Sequence, residues 1–221
     1  MNSTAAPIDT KKRILDAAER IFSQDGFDRA SLRTITAAAQ VNLAAVNYHF
    51  HTKEALLSAV VERRATPINR RRIELLESIS GKVTPELVLD AFLRPLMERS
   101  AEELCSFKPL MARLHSAPVE LHKRILEDNF EPTFNRFVDA LAAALPEASK
   151  NDLKVGMFFL VGAMAHTVAW EPIMATFLKT APGEARVENF MPRLVDFAAA
   201  GMRASASKRA AAKTTSKRVN H

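Results

Sequence analysis

The chain has 221 residues, 48% of them hydrophobic, which supplies a core and excludes a disordered or collagen-like protein. Its single cysteine, Cys105, excludes an internal disulfide framework and fits a reducing compartment. The net charge of +6 is confined to the C-terminus: no acid follows Asp196, and Arg203, Lys208, Arg209, Lys213, Lys217 and Arg218 leave residues 1–202 neutral, so basicity does not mark the whole body as a nucleic-acid binder.

Scarce glycine and abundant Ala, Leu, Glu, Lys and Arg predict an all-α protein. Residues 1–9 are small and polar and are expected to lack order. Asp9 or Thr10 caps a first helix through about Gln24, with Ile14, Leu15, Ala18, Ile21 and Phe22 as its apolar stripe. Gly26 ends it by taking a backbone conformation open to glycine, and Phe27 returns to the core. Ser31 caps a second helix whose apolar face is Leu32, Ile35, Ala38 and Ala39. Gln40-Val41-Asn42 forms a turn, with Asn42 capping a third helix, Leu43 to Phe50, that points Val46 and Phe50 inward. Two short helices across a tight turn make a helix-turn-helix, whose second helix enters the major groove of double-stranded DNA. The charge pattern agrees: from Arg29 to Lys53 there is no acid, Arg29, Arg33 and Lys53 are basic, and His49 and His51 can add to them. Leu15, Phe22, Phe27, Ile35, Val41, Val46 and Phe50 are the predicted core of a three-helix domain.

Thr52 caps a fourth helix, which Pro67 is expected to interrupt. Arg63, Arg64, Arg70, Arg71 and Arg72 are interspersed with Glu62, Glu74 and Glu77, so this stretch reads as a solvated helix laced with ion pairs and not as a DNA-binding stripe. Gly81 breaks the chain, and Thr84-Pro85-Glu86 opens a helix with cap, N1 proline and first-turn acid in their preferred places, kinked at Pro95. A shorter helix covers Phe107 to His115, and Pro118 opens another to about Leu145, bent at Pro132. Ser149 to Leu178 is the longest apolar helix. Its uncharged run, Val155 to Trp170, is short for a membrane span of ~20 residues and reads as a buried helix. Pro182-Gly183 separates it from a last helix, Glu184 to about Arg203, and the tail beyond has too little apolar surface to fold alone. The predicted organisation is a DNA-binding domain at 9–54, a helical ligand-binding and dimerisation domain at 55–203, and a disordered basic tail at 204–221. No N-terminal apolar segment of secretory type is present, so a cytoplasmic location is expected.

The run from Lys11 to Leu57 resembles the N-terminal DNA-binding domain of the tetracycline-repressor (TetR) family of bacterial transcription regulators. The resemblance is carried by Arg13-Ile14-Leu15-Asp16-Ala17-Ala18, Phe22, Gly26-Phe27, Ser31-Leu32-Arg33, Ile35, Val41-Asn42, Tyr48, Phe50 and Lys53-Glu54-Ala55-Leu56. Within the family, VNLAAVNYHF at 41–50 and FAAAGMRA at 197–204 are similar to fatty-acid-responsive repressors of the PsrA type. Two positions depart from the pattern. Gln40 stands where the family usually has glycine, and Ala44-Ala45 stands where Gly-Thr is common, which removes a hydroxyl from the reading helix. The resemblance implies a homodimeric repressor on a palindromic operator, and Arg33 matches a base-contacting arginine of the family.

Asn47 projects opposite Val46 and Phe50 and is predicted to read a base with Arg33, since arginine grips guanine and asparagine adenine; a local hydrogen bond to the helix is the alternative for Asn47. Ala44, Ala45, Tyr48, His49 and Lys53 are assigned to backbone approach and phosphate contact, Leu43 to a methyl contact, and Ser31 and Asn42 cap the helices of this face. In the second half, Phe92, Met97, Phe107, Met111, Phe134, Phe137, Met157 and Met164 suit plain core packing or an adaptable slot for a long apolar ligand, a fatty acid or acyl-CoA. Arg113 or His115 would hold the polar head; a pair with Glu102 or Glu103 is the alternative for Arg113. Gly156, Gly162, Ala163, Ala165 and Ala169, with Ala198, Ala199, Ala200 and Gly201, mark two helices for close pairing in a dimer. No cofactor, metal or catalytic residue is called: a phosphate-binding glycine loop, a nucleophile elbow and an HExxH pair are all missing from the sequence. The competing reading is a sequence-tolerant architectural DNA-binding protein without an inducer.

Overall fold

The computed structural model describes residues 7–98, 109–114, 117–179 and 187–219, and every regular element among them is a helix. In chain order these are α1 (Pro7–Arg29), α2 (Leu32–Ala39), α3 (Leu43–Phe50), α4 (Lys53–Glu77), α5 (Pro85–Met97), α6 (Val119–Asn129), α7 (Glu131–Ala144), α8 (Lys150–Leu178) and α9 (Val187–Val219), with a short helical segment at 109–114. The chain packs as two compact units, Met1–Asn69 with Arg99–Pro132, and Arg70–Glu98 with Thr133–His221.

The first unit is built on α1 to α3. The expected caps are formed: Ser31 Oγ accepts from the Thr34 amide at 3.0 Å, Asn42 Oδ1 from Ala45 at 2.9 Å and Thr52 Oγ1 from Ala55 at 3.0 Å. Gly26 breaks α1 internally at φ 78°, ψ 175°, a region essentially reserved for glycine. Helix α1 starts at Pro7, ahead of the expected cap, because a proline is pre-set for a first helical turn. Leu15, Phe22, Phe27, Ile35, Val46 and Phe50 are buried in one core, with Val41 half-buried at its edge. Leu110, Leu114, Leu121 and Ile125 complete this core, which sequence spacing could not foresee.

Helix α4 runs through Pro67 without a break, and its arginines divide in three ways. Arg63 bonds Asp16 at 2.6 Å and also Glu19, and Arg64 bonds Glu19 at 2.7 Å, so their acids come from α1 and not from α4 itself. Arg70 and Arg71 pair with Glu74, and Arg71 also with Glu98, as an ion-pair-laced surface would. Arg72 departs from the solvated reading. It is buried, donates Nε to the Phe92 carbonyl at 2.8 Å and lies 3.8 Å over the Phe92 ring. Burial pushes its pKa down to about 9, which still leaves it charged at neutral pH.

The second unit has its own core of Val88, Leu89, Phe92, Leu93, Phe137, Leu141, Met157, Met191 and Val195, in which Phe92 meets Phe137 edge-on at 5.1 Å. The single bent helix expected from Pro118 to Leu145 is two helices. Phe130 separates α6 from α7, and Pro132 sits in the first turn of α7, where it costs no hydrogen bond. Helix α8 is not the buried helix expected. Leu153, Met157 and Leu160 face the core, whereas Val155, Phe158, Phe159, Trp170, Ile173 and Phe177 form an exposed stripe on the opposite side, Phe158 at 73% exposure. Helix α9 runs through to Val219, with Ala206 fully buried. An alanine-, lysine- and arginine-rich run readily propagates a helix that packing has already nucleated.

Candidate functional site

The face carried by α2 and α3 begins with chemistry left open. Arg33 and Asn47 are both exposed, and among the described residues neither side chain has a hydrogen-bond or ion-pair partner. The local hydrogen bond considered for Asn47 is therefore not formed. Ser31, Asn42, Leu43, Ala44 and Tyr48 are exposed beside them, Tyr48 at 78% with its ring edge-on to His49 at 5.1 Å. No acid lies between Arg29 and Lys53 to repel a phosphate. Ala44 puts only a methyl group at the exposed start of α3. Ala45 and His49 are half-buried, and Ala45 packs on the core.

Lys53 is placed differently from the phosphate contact assigned to it. Its ammonium donates to the carbonyls of Phe27 at 3.0 Å and Ala30 at 3.1 Å, and it sits 4.1 Å over the Phe27 ring. A cation there satisfies carbonyls at the end of α1 and complements its dipole, so Lys53 positions the helices. A second positioning residue is one the sequence did not single out for this task. Arg13 Nη2 donates to Ala39 O at 2.6 Å and Gln40 O at 2.8 Å, across 26 and 27 residues, and so closes the end of α2. Two turns on this face are strained. Gln40 is left-handed at φ 52°, ψ 48°, and His51 sits at φ 63°, ψ −50° between Phe50 O and Thr52 N, which bond at 2.7 Å as a γ-turn.

Of the ligand-site residues, Phe92, Phe137 and Met157 are buried together in the second unit, with Met97, Phe134 and Met164 half-buried against them. Met111 and Arg113 belong to the first unit, Met111 against its core and Arg113 exposed. Phe107 and His115, like Cys105, lie outside the described residues. A cleft of about 260 Å³ in the second unit is lined by Leu75, Ser78, Ile79, Leu87, Asp90 and Arg94 and involves none of the assigned residues. The small residues of α8 differ in role. A Cβ on Gly156 would meet Met202 Cε at 2.9 Å, so Gly156 admits α9 within the chain, whereas Gly162 and Gly201 face open space.

Comparison with known sequences decides what kind of protein carries this face. The profile described as "Tetracyclin repressor-like, C-terminal domain" matches residues 90–201, and that described as "Bacterial regulatory proteins, tetR family" matches residues 14–60. The chain belongs to the TetR family. The regulator UidR of Escherichia coli K12 is 38% identical over 77 residues, 34% of this chain and 38% of UidR. The nicotine-responsive repressor HdnoR of Paenarthrobacter nicotinovorans is 42% identical over 102 residues, 46% of this chain and 53% of HdnoR. The matches thus span well under two thirds of these relatives. The fatty acid degradation regulator FadR of Bacillus halodurans superposes with TM-score 0.66 at 14% identity, covering 91% of this chain and 99% of that one. A TetR-family regulator from Bordetella parapertussis gives 0.62 at 17%, covering 85% and 93%. At these identities the superpositions establish the fold alone. TetR-family proteins are DNA-binding transcriptional regulators, and the stretch that carries α2 and α3 lies within the residues matched to the family's N-terminal domain.

Proposed function

We propose that this TetR-family regulator is a homodimeric repressor, released from a palindromic operator by a long-chain fatty acid or acyl-CoA. One observation carries the DNA reading: Arg33 and Asn47 stand exposed and unengaged on an acid-free face, beside the bare Ala44. Arg33 and Asn47 read bases, each worth ~1–3 kcal/mol of discrimination, while Tyr48 and His49 contact phosphates. The exposed apolar stripe of α8, with Phe197 on α9, supports a dimer, because such a face is costly in water and Gly162 and Gly201 leave room for a second copy. The stretch Lys150–Trp170 is also long and apolar enough to cross a membrane, and pairing with its own copy accounts for the same surface. For the inducer, Phe92, Met97, Phe134, Phe137, Met157 and Met164 form a flexible, aromatic core that an acyl chain could part and line.

The experiment starts from duplexes selected out of a random-sequence pool. A recovered palindrome supports the repressor, and uniform coverage in a footprint supports the architectural alternative. Asn47→Ala should flatten the preference at one position of each half-site; an unchanged preference removes its base-reading role. The complex is then titrated with fatty acids and acyl-CoAs of increasing length. Release by long chains alone is expected, since each buried methylene adds about 0.8 kcal/mol, and no release at any length refutes the ligand class. Phe158→Glu with Phe159→Glu should yield monomers by light scattering; a persistent dimer refutes the α8 interface.

A further inference from the structure

The end of α9 carries a charge distribution that the helix-turn-helix does not use. Met191, Val195, Ala199, Met202 and Ala206 are buried at successive spacings of four, four, three and four, which seats α9 as far as Ala206. Arg203, within that seated part, makes a two-pronged ion pair with Glu86, one bond at 2.6 Å. The remaining +5 of the chain's net +6 lies beyond, on Lys208, Arg209, Lys213, Lys217 and Arg218, with no acid among them. The helix nevertheless continues to Val219, so these residues follow one another along a helical backbone of about 24 Å from residue 204 onwards. Arg209, Lys213 and Lys217 share one helical register, four residues or ~6 Å apart, and Lys208 and Arg218 flank them.

A polybasic rod needs a polyanion. Anionic lipid is the poorer fit, because membrane-surface helices insert a large apolar face, and from Ala204 to Arg218 no apolar residue exceeds alanine. A phosphate backbone asks only for positive charge at regular intervals, and residues 1–202 are neutral in sum, so outside the acid-free stretch from Arg29 to Lys53 the chain's excess positive charge lies at the end of α9. We propose that Lys208–Arg218 of α9 is a second DNA-contacting surface, which binds backbone phosphates without regard to sequence. This rests on the chain being a DNA-binding regulator and adds to it a contact outside the helix-turn-helix.

The test uses the full chain, a chain ending at Ser207, and a full-length variant with Lys208, Arg209, Lys213, Lys217 and Arg218 each changed to Gln. The truncation keeps Ala206 and the Arg203–Glu86 pair, and circular dichroism with thermal melting checks that both variants fold. Binding to a scrambled duplex and to a pool-selected duplex is measured from about 50 to 200 mM salt. On both duplexes the slope of log K against log salt should fall in magnitude by up to about 4.5 per bound protomer, from about 0.9 per phosphate neutralised. Affinity should drop by the same factor on both, leaving their ratio unchanged. An unchanged slope overturns the proposal, as does a loss confined to the selected duplex. Anionic phosphatidylglycerol vesicles are the third probe: loss of vesicle binding without a change in DNA slope assigns the helix to membranes and refutes it. If no duplex is selected from the pool, the operator reading fails instead, and the scrambled-duplex slopes still decide this one.

Discussion

Replacing Gln40 with glycine should stabilise the protein. Gln40 closes α2 in a Schellman motif: its own N–H bonds Ala37 O at 3.1 Å, and the Val41 N–H bonds Thr36 O at 3.0 Å. That geometry requires the left-handed backbone observed, φ 52° and ψ 48°, which costs a residue with a Cβ roughly 1–2 kcal/mol. Glycine removes this cost but widens the unfolded ensemble, giving back roughly 0.4–1 kcal/mol. The Gln40 side chain is exposed and makes no bond among the described residues, so nothing else is lost. The net gain is about 0.5–1 kcal/mol, read as a higher urea midpoint at unchanged slope, at fixed protein concentration because the stability of the proposed dimer would depend on it. Gln40→Ala is the control. It keeps the strain and should gain nothing. A Gly variant no more stable than wild type, or an Ala variant stabilised equally, would refute the assignment of strain to this residue.

Arg13→Met keeps the stem of the side chain and removes the bonds to Ala39 O and Gln40 O. It should cost about 2 kcal/mol in urea unfolding and weaken operator binding, because the turn it closes carries the cap of α3; wild-type stability would show these bonds to be idle. The Glu86–Arg203 pair predicts a pH signature. The hydrogen bond from Arg203 holds Glu86 down to about 2 from 4.5, so its folded-state advantage is complete above pH 4.5 and is lost as pH falls toward 2. Both groups are over a third exposed, which discounts the contribution to about 1 kcal/mol, and Glu86→Gln should be less stable than wild type by this amount near neutrality and indistinguishable from it at the acid end. A difference that persists through that window would assign the effect to packing and not to charge.

The helix-turn-helix was legible because its signals are local. Ser31, Asn42 and Thr52 each bond an amide three residues on, so residue type and offset suffice to place the cap. Arg13 and Lys53 were not legible, since their carbonyl partners lie 23 to 27 residues away and any exposed cation would satisfy the sequence equally well. Arg71 and Arg72 show the limit most sharply. They are neighbours of identical chemistry, turned about 100° apart on the helix, so one meets Glu98 at the surface and the other enters the core against Phe92. Helix α8 misled for the opposite reason. It is apolar around much of its circumference, and periodicity cannot distinguish a second face packed within the chain from one left exposed.

Ion pairing within the first unit bears on which arginines stand open beside α2 and α3. Of the acids on α1, Asp16 and Glu19 meet α4, and Glu19 is buried, where an uncompensated charge is prohibitive. Arg63 and Arg64 neutralise them from α4, with Lys12 on Asp16 as well, so these acids project little field toward α2 and α3. The same pairing occupies the two arginines whose sequence context competed with the helix-turn-helix as a DNA-binding stripe. Among the described residues, the Arg33 side chain forms no ion pair and no hydrogen bond. A guanidinium in that state gives up only water when it meets a base edge, whereas Arg63 or Arg64 would have to surrender a carboxylate, at a cost of several kcal/mol for the buried Glu19 left behind. The proposed base contact therefore falls to Arg33 and not to Arg63 or Arg64, whose carboxylate partners the fold already supplies.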